Sequence, residues 1–154
     1  MADIQEKIPT FNLPATQVGE LSNEDLKGKY SIIYFYPKDN TPGCTTETND
    51  FCQLYSDFKN LNCEVVGFNH NPMKLHEKFE QKLEIPFPLV SDEERNAVEA
   101  FGVWKLKKFM GKEFMGIVRT TLIIDPEGTI IKRYDNVKVK GHAAQVLDDL
   151  KNIV

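Results

Sequence analysis

The run Tyr30–Tyr36, YSIIYFY, sets the first limit on the fold. Its β-branched and aromatic side chains make it a buried strand, so other elements have to cover it. Residues 1–29 are broken by Pro and Gly, with slight strand potential near Phe11 and a short helical piece at Ser22–Leu26. From Pro42 to about Asn60, Phe51, Leu54, Tyr55 and Phe58 recur at three- and four-residue spacing, which predicts a helix with one apolar face. Glu64–Phe68 reads as a second buried strand. Met73–Leu83 reads as a second helix, with Leu75, Phe79 and Leu83 on one side. Pro86 and Pro88 separate it from a short Leu89-Val90 strand, and Glu93–Phe101 reads as a short helix. Ile117–Ile124 and Thr129–Tyr134 read as strands joined by the turn Asp125-Pro-Glu-Gly128. A last helix runs from Gly141 to about Asn152, with Val146, Leu147 and Leu150 facing in.

This order is β-α-β-α followed by β-β-α. Right-handed crossovers make the first two strands parallel, and the Asp125–Gly128 turn makes the last two antiparallel. The expected fold is α/β and thioredoxin-like: a mixed central sheet flanked by helices on both faces. The length of 154 residues fits a single domain, 1–154, and 41% apolar content is enough for its core. The net charge of −4 argues against nucleic acid as the main partner. No apolar run is long enough to span a bilayer, and the first residues are polar, unlike a signal peptide. A soluble protein of the reducing cytoplasm is expected. Its three cysteines, Cys44, Cys52 and Cys63, are an odd number without framework spacing, and read as free thiols.

Cys44 stands between the first strand and the first helix, in YPKDNTPGCTTE. Pro42 suits the first helical position, and Thr41 before it is a good N-cap. Cys44 then falls in the first turn, where unpaired N–H groups and the positive dipole end favour an anion. The Thr41 hydroxyl can accept from a backbone N–H and donate to the sulfur or to a substrate oxygen. Pro37 stiffens the approach and shields the site from water. On the residues alone, two readings stand: a reactive thiol, or a buried cysteine beside an ordinary capped helix.

Pro37-Lys-Asp-Asn-Thr41-Pro-Gly-Cys44 resembles the P-x-x-x-T-x-x-C signature of peroxiredoxins. The flanking residues Phe35–Asp39 and Thr41–Thr45 are similar to the bacterioferritin comigratory protein, or PrxQ, subfamily. So are Lys82–Asp92, Phe101–Trp104, Lys108–Lys112, Arg119 with Thr120–Asp125, and Val139–His142. The resemblance covers nearly the whole chain. It implies a thiol-dependent peroxidase that reduces hydrogen peroxide and organic hydroperoxides, with no cofactor and no metal. It also implies that Cys44 is the peroxidatic cysteine, oxidised to a sulfenic acid while Thr41 and the Cys44 N–H hold the peroxide. Arg119, at the start of its strand, would stabilise the thiolate and polarise the peroxide. Glu47 would orient Arg119. Taken alone, Arg119 is also readable as a strand-end surface charge, and Glu47 as a partner of the helix dipole.

The sequence departs from many relatives at Asn49, where a resolving cysteine often stands, and Met73–Leu83 has none either. Cys52 lies about 12 Å up the helix from Cys44, whereas a disulfide needs Cα atoms within about 7 Å. Cys63 is readable simply as core. A one-cysteine cycle is therefore expected, with thioredoxin, glutaredoxin or a low-molecular-weight thiol as reductant. Resolution by Cys52 or Cys63 is the alternative. A monomer is expected, with a weak homodimer as the alternative. His70, His76 and His142 lack metal-ligand spacing and read as surface or locally hydrogen-bonded residues. Trp104–Phe109 mixes basic and aromatic residues and reads as a solvated loop or hairpin face, the rival being a non-catalytic binding module. A disulfide reductase is disfavoured, because the C-x-x-C position after Cys44 is Glu47.

Overall fold

The computed structural model describes residues 3–154. A seven-stranded mixed sheet is built from β1 (Asn12–Ala15), β2 (Gly19–Ser22), β3 (Tyr30–Phe35), β4 (Cys63–Asn69), β5 (Leu89–Ser91), β8 (Thr120–Ile124) and β9 (Ile130–Tyr134), in the order β2-β1-β5-β4-β3-β8-β9. A separate hairpin pairs β6 (Trp104–Phe109) with β7 (Lys112–Ile117). The helices are α1 (Pro42–Asn60), α2 (Met73–Leu83), α3 (Asn96–Ala100) and α4 (His142–Ile153). The sheet is parallel from β3 through β4 to β5 and antiparallel from β3 through β8 to β9, as the crossover and turn arguments require.

Strand β3 is an inner strand of the sheet, between β4 and β8, and its alternation assigns the two cores. Ile32, Tyr34 and Tyr36 point to one face, where Phe51 and Phe58 of α1, Phe79 of α2 and Val146, Leu147 and Leu150 of α4 cover them. Ile33 and Phe35 point to the other, against Phe11, Leu26, Phe68, Val98 and Phe101. Helices thus lie on both faces. Among the described residues, the helices on the second face are the short α3 and a 3-10 turn at Asn23–Leu26, and the N-terminal segment, Val103 and Ile117 complete the cover.

Four expectations need correction. Residues 12–22 form a β-hairpin where only slight strand potential near Phe11 was readable, and β1 joins the sheet through one pairing, Ala15 with Val90. Ile117–Ile124 is two strands. Ile117 ends β7 against Trp104, the Val118 N–H bonds to the Val103 carbonyl, and the chain then changes partner, so that Thr120 pairs with Phe35. Helix α3 starts later than expected, at Asn96, because Arg95 is left-handed (φ 67°) and the Asp92 carboxylate accepts the Val98 N–H across that turn. On α2 the buried face is turned: Leu75 is 37% exposed, while His76 beside it is wholly buried. Among the described residues, no helix is long and apolar enough to cross a membrane.

Helix α1 is fixed to β3 by an aromatic stack. The Tyr34 ring lies 4.7 Å from that of Phe51 at 20°, and the Tyr34 hydroxyl meets that of Thr48 at 3.0 Å. Gly67 on the neighbouring strand makes room for this. A Cβ there would stand 2.7 Å from Leu89 Cδ2 and 3.0 Å from the Tyr34 hydroxyl, in a core where neither residue is exposed. Gly67→Ala is therefore expected to destabilise the chain by about 1–3 kcal/mol, measured by urea denaturation. An unchanged midpoint would show that the core yields at Leu89 without cost.

Candidate active site

The register of β3 and β8 brings the site together. With Phe35 opposite Thr120, Arg119 lies just beyond the paired strands, level with the point where the chain leaves the sheet after Tyr36. Helix α1 begins there, and Cys44 falls in its first turn, 1% exposed. Arg119 Nη2 donates to Cys44 Sγ at 3.5 Å, and Nη1 donates to Glu47 Oε1 at 2.7 Å. One planar guanidinium thus spans the thiol and the carboxylate one turn further along α1, which a lysine could not do. Gly43 permits the approach, since a Cβ at that position would stand 3.3 Å from Arg119 Nη2. Nothing in the sequence alone marked Gly43 for this role.

The helix leaves the Gly43 and Cys44 N–H groups without helical acceptors, the first helical bond being from the Thr45 N–H to the Thr41 carbonyl. Thr41 is the N-cap residue, yet its side chain makes no capping bond. Its hydroxyl donates to the Lys38 carbonyl at 2.9 Å, so the expected side-chain cap is replaced by a tie within the loop. The oxygen keeps its lone pairs and faces incoming groups as an acceptor. Pro37 is half-buried beside this loop.

Glu47 is 1% exposed, and its Oε2 has no hydrogen-bond partner among the described residues. Burial pushes its carboxyl up to about 7, against the pull of Arg119. Arg119 is less buried; although burial pulls it down, Glu47 and Cys44 hold it above its ordinary value. His142, at the start of α4, meets the Thr121 hydroxyl at 2.8 Å and is pushed down to about 4 by burial and then by Arg119. It stays neutral at physiological pH, so the cations that face the sulfur are Arg119, which bonds it, and the more distant Lys107, which Cys44 and Arg119 pull in opposite directions.

The other thiols lie apart. Cys52 is half-buried on α1, and Cys63 is buried at the start of β4. Burial pushes Cys52 up to about 11, and burial followed by Glu64 pushes Cys63 up to about 12. Neither is a thiolate near neutrality, and the thiolate is the attacking form in disulfide exchange. His76 and His142 are buried and bonded, so neither is a surface residue, and His70 packs its ring 5.2 Å from that of Trp104. Among the described residues, no group of three His, Cys, Asp or Glu could hold a metal.

A helix-start thiol gripped by an arginine, with free N–H groups beside it, is suited to attack on an electrophile that bears a polar oxygen. The AhpC/TSA family model matches residues 4–133. The chain belongs to the AhpC/TSA family. Within it the chain is a peroxiredoxin of the Bcp, or PrxQ, group, and so a thiol-dependent peroxidase. It is 45% identical to peroxiredoxin Bcp of Bacillus subtilis, over 98% of this chain and 96% of that protein. A cysteine-to-serine mutant of Xylella fastidiosa PrxQ superposes with a TM-score of 0.93 at 34% identity, covering 99% of this chain and 97% of the other. The bacterioferritin comigratory protein of Xanthomonas campestris, whose alkyl peroxide reduction activity is known, gives a TM-score of 0.87 at 38% identity, covering 92% and 90%.

Glu47 generates a pH prediction. A carboxyl raised from 4.5 to about 7 on folding makes a contribution that is complete below 4.5 and is lost as the pH rises through 7. A Glu47→Gln chain lacks this titration. Between pH 5 and pH 8 the parent should lose stability relative to Glu47→Gln by about 2 kcal/mol, read from denaturant melts at both values. Equal pH dependence in the two chains would show that Arg119 keeps Glu47 ionised throughout.

Proposed function

We propose that the chain acts as a single-domain, one-cysteine peroxidase in the cytoplasm, with Cys44 as the peroxidatic residue. The observation that carries this reading is the 3.5 Å contact of Arg119 Nη2 with Cys44 Sγ at the start of α1. The Cys44 thiolate attacks one peroxide oxygen and the O–O bond breaks. Sulfur keeps that oxygen as sulfenic acid, and the other oxygen takes a proton and leaves as water or alcohol. Arg119 and the first-turn N–H groups hold the developing negative charge on the oxygens. Thr41, its own proton committed to Lys38, accepts from the peroxide O–H. Glu47 keeps Arg119 aimed and Pro37 limits water. An external thiol then condenses with the sulfenic acid, releasing water and forming a mixed disulfide, and a second thiol frees Cys44. Thioredoxin, glutaredoxin or a small thiol fits this step, and no second copy of the chain is needed. Hydrogen peroxide and organic hydroperoxides are the substrates, the latter in keeping with the alkyl peroxide activity of the Xanthomonas relative.

Cys44→Ser is expected to abolish peroxide consumption, while Cys52→Ser and Cys63→Ser leave the first oxidation intact. Wild-type turnover in Cys44→Ser would end the assignment. Arg119→Leu should slow peroxide attack by about tenfold or more, roughly 1.4 kcal/mol of lost transition-state stabilisation. Stopped-flow oxidation rates equal to the parent's would remove Arg119 from the mechanism.

The cycle has its own test. Oxidised without thiol, the protein should hold a sulfenic acid at Cys44 that a dimedone-type probe captures. Rapid formation of a Cys44–Cys52 or Cys44–Cys63 disulfide with no adduct would replace this cycle by the atypical two-cysteine one.

A further inference from the structure

Between the end of β3 and the start of α1, the loop Pro37–Thr41 has one buried residue, Asp39; Lys38 and Asn40 are exposed, and Pro37 and Thr41 are half-buried. Asn40 is left-handed, at φ 63°, so the loop's shape has to be held from outside. Asp39 provides the hold. Its Oδ1 accepts from the Tyr36 hydroxyl at 2.6 Å and from Asn69 Nδ2 at 3.2 Å. Its N–H donates to Asn71 Oδ1 at 2.8 Å. Its Oδ2 lies 2.6 Å from Nδ1 of His76, and Nε2 of that ring lies 2.9 Å from the Val90 carbonyl oxygen.

The partners fix the protons. A carbonyl only accepts, so His76 Nε2 carries a hydrogen. The Nδ1–Oδ2 contact is then a hydrogen bond only if it holds a further proton, on the ring or on the acid. Either way the pair as a whole is neutral and doubly anchored, which allows two ionisable groups to be buried together. The ring therefore joins α2, β5 and the loop, while Lys82 near the far end of α2 adds an exposed tie to Asn40 Oδ1 at 2.6 Å. Nothing in peroxide chemistry uses His76, and a helix-face pattern would have placed Leu75 inward instead.

On the peroxidase reading above, we propose that His76 is a positioning residue for Cys44. Through Asp39 it sets the Pro37–Thr41 loop, and so fixes the sulfur and the Gly43 and Cys44 N–H groups relative to an incoming peroxide. His76 does not touch the sulfur. Its loss should therefore impair the peroxide reaction, which needs aligned donors, more than alkylation, which needs only an accessible thiolate.

The test uses the full chain as parent, His76→Gln, Asp39→Asn and the double variant, each checked for fold by circular dichroism. Each single change should slow Cys44 oxidation by hydrogen peroxide about tenfold or more, with iodoacetamide alkylation changed by no more than about twofold. The double variant should be no slower than the slower single, because both changes break one linkage. Folded single variants that oxidise at the parent's rate, or that lose alkylation in step with oxidation, overturn the inference, as does a multiplicative effect in the double. Should the variants fail to fold, NMR of the parent with 15N-labelled histidine decides. A protonated His76 Nε2 and a slowly exchanging, far-downfield proton in the Nδ1–Oδ2 contact support the linkage, and their absence overturns it. A parent inert to peroxide would instead bring down the peroxidase reading, and this inference with it.

Discussion

The pairing of Phe35 with Thr120 is the contact on which the site depends. It sets the last rung of the antiparallel β3–β8 ladder, and both chains leave the sheet beyond it. One exit leads to the loop and α1, which carries Cys44 and Glu47; the other is Arg119 itself. A one-residue slip in that register would turn every side chain of β8 to the opposite face and carry Arg119 away from the helix start. The register is strongly held because β8 is buried along its whole length, Leu122 and Ile124 facing one core and Ile123 the other. The hydrophobic pattern of two strands thus fixes a polar contact that neither strand contains.

The cost of that contact falls on Glu47. Arg119 keeps 17% of its side chain exposed and Glu47 only 1%, so the two ends of the ion pair are solvated very differently. Burial outweighs the pair's attraction at the carboxylate, which ordinarily identifies a group kept for something other than stability. Its second oxygen has no hydrogen-bond partner among the described residues. A carboxylate able to bond elsewhere would draw the guanidinium away from sulfur; Glu47 has only Arg119 to face. On the proposed reading, an incompletely satisfied acid would hold the guanidinium in one orientation, with its other nitrogen on Cys44.

The main elements were legible because they are long and periodic. Met73–Leu83 matches its helix residue for residue, and the Tyr30–Tyr36 run became the central strand. The misreadings share a physical origin in competition between local pattern and a distant partner. Leu75 fits the apolar face of α2, but Asp39 and the Val90 carbonyl draw His76 inward. Ile117–Ile124 reads as one strand, but Trp104 claims its first residue and Phe35 its later ones. Thr41 has the chemistry of a cap, but its hydroxyl turns instead to donate to the Lys38 carbonyl. The motif singled out Cys44, Thr41 and Pro37, and the wider resemblance added Glu47 and Arg119, which the fold brings to Cys44. Gly43 and the Asp39–His76 pair were not singled out, because what the structure shows of them, close approach and mutual burial, is recorded by no spacing.

With Cys44 as the proposed peroxidatic residue, its placement also bears on how the proposed cycle would close. A sulfur 1% exposed admits a small peroxide, whereas a protein thiol needs a line of approach to it. The part of α1 able to yield is its first turn. Pro42, Gly43 and Thr46 are exposed; among the described residues, Cys44 and Glu47 tie this turn inward through Arg119, and Cys44 also packs into the core beside Tyr34, Tyr36 and Phe51. One turn later the helix is bound by Thr48 to Tyr34 and by the stack of Phe51 on the same ring, with Phe58 wholly buried beyond. Burying each such aromatic ring is worth roughly 1.5–3 kcal/mol, so opening that stops before Thr48 is far cheaper than unwinding as far as Cys52. On the proposed cycle, conversion of a Cys44 thiolate to sulfenic acid would remove a negative charge facing Arg119. The first turn would thereby lose part of its anchorage at the step when a reductant has to reach the sulfur, while the core contacts of α1 stay in place.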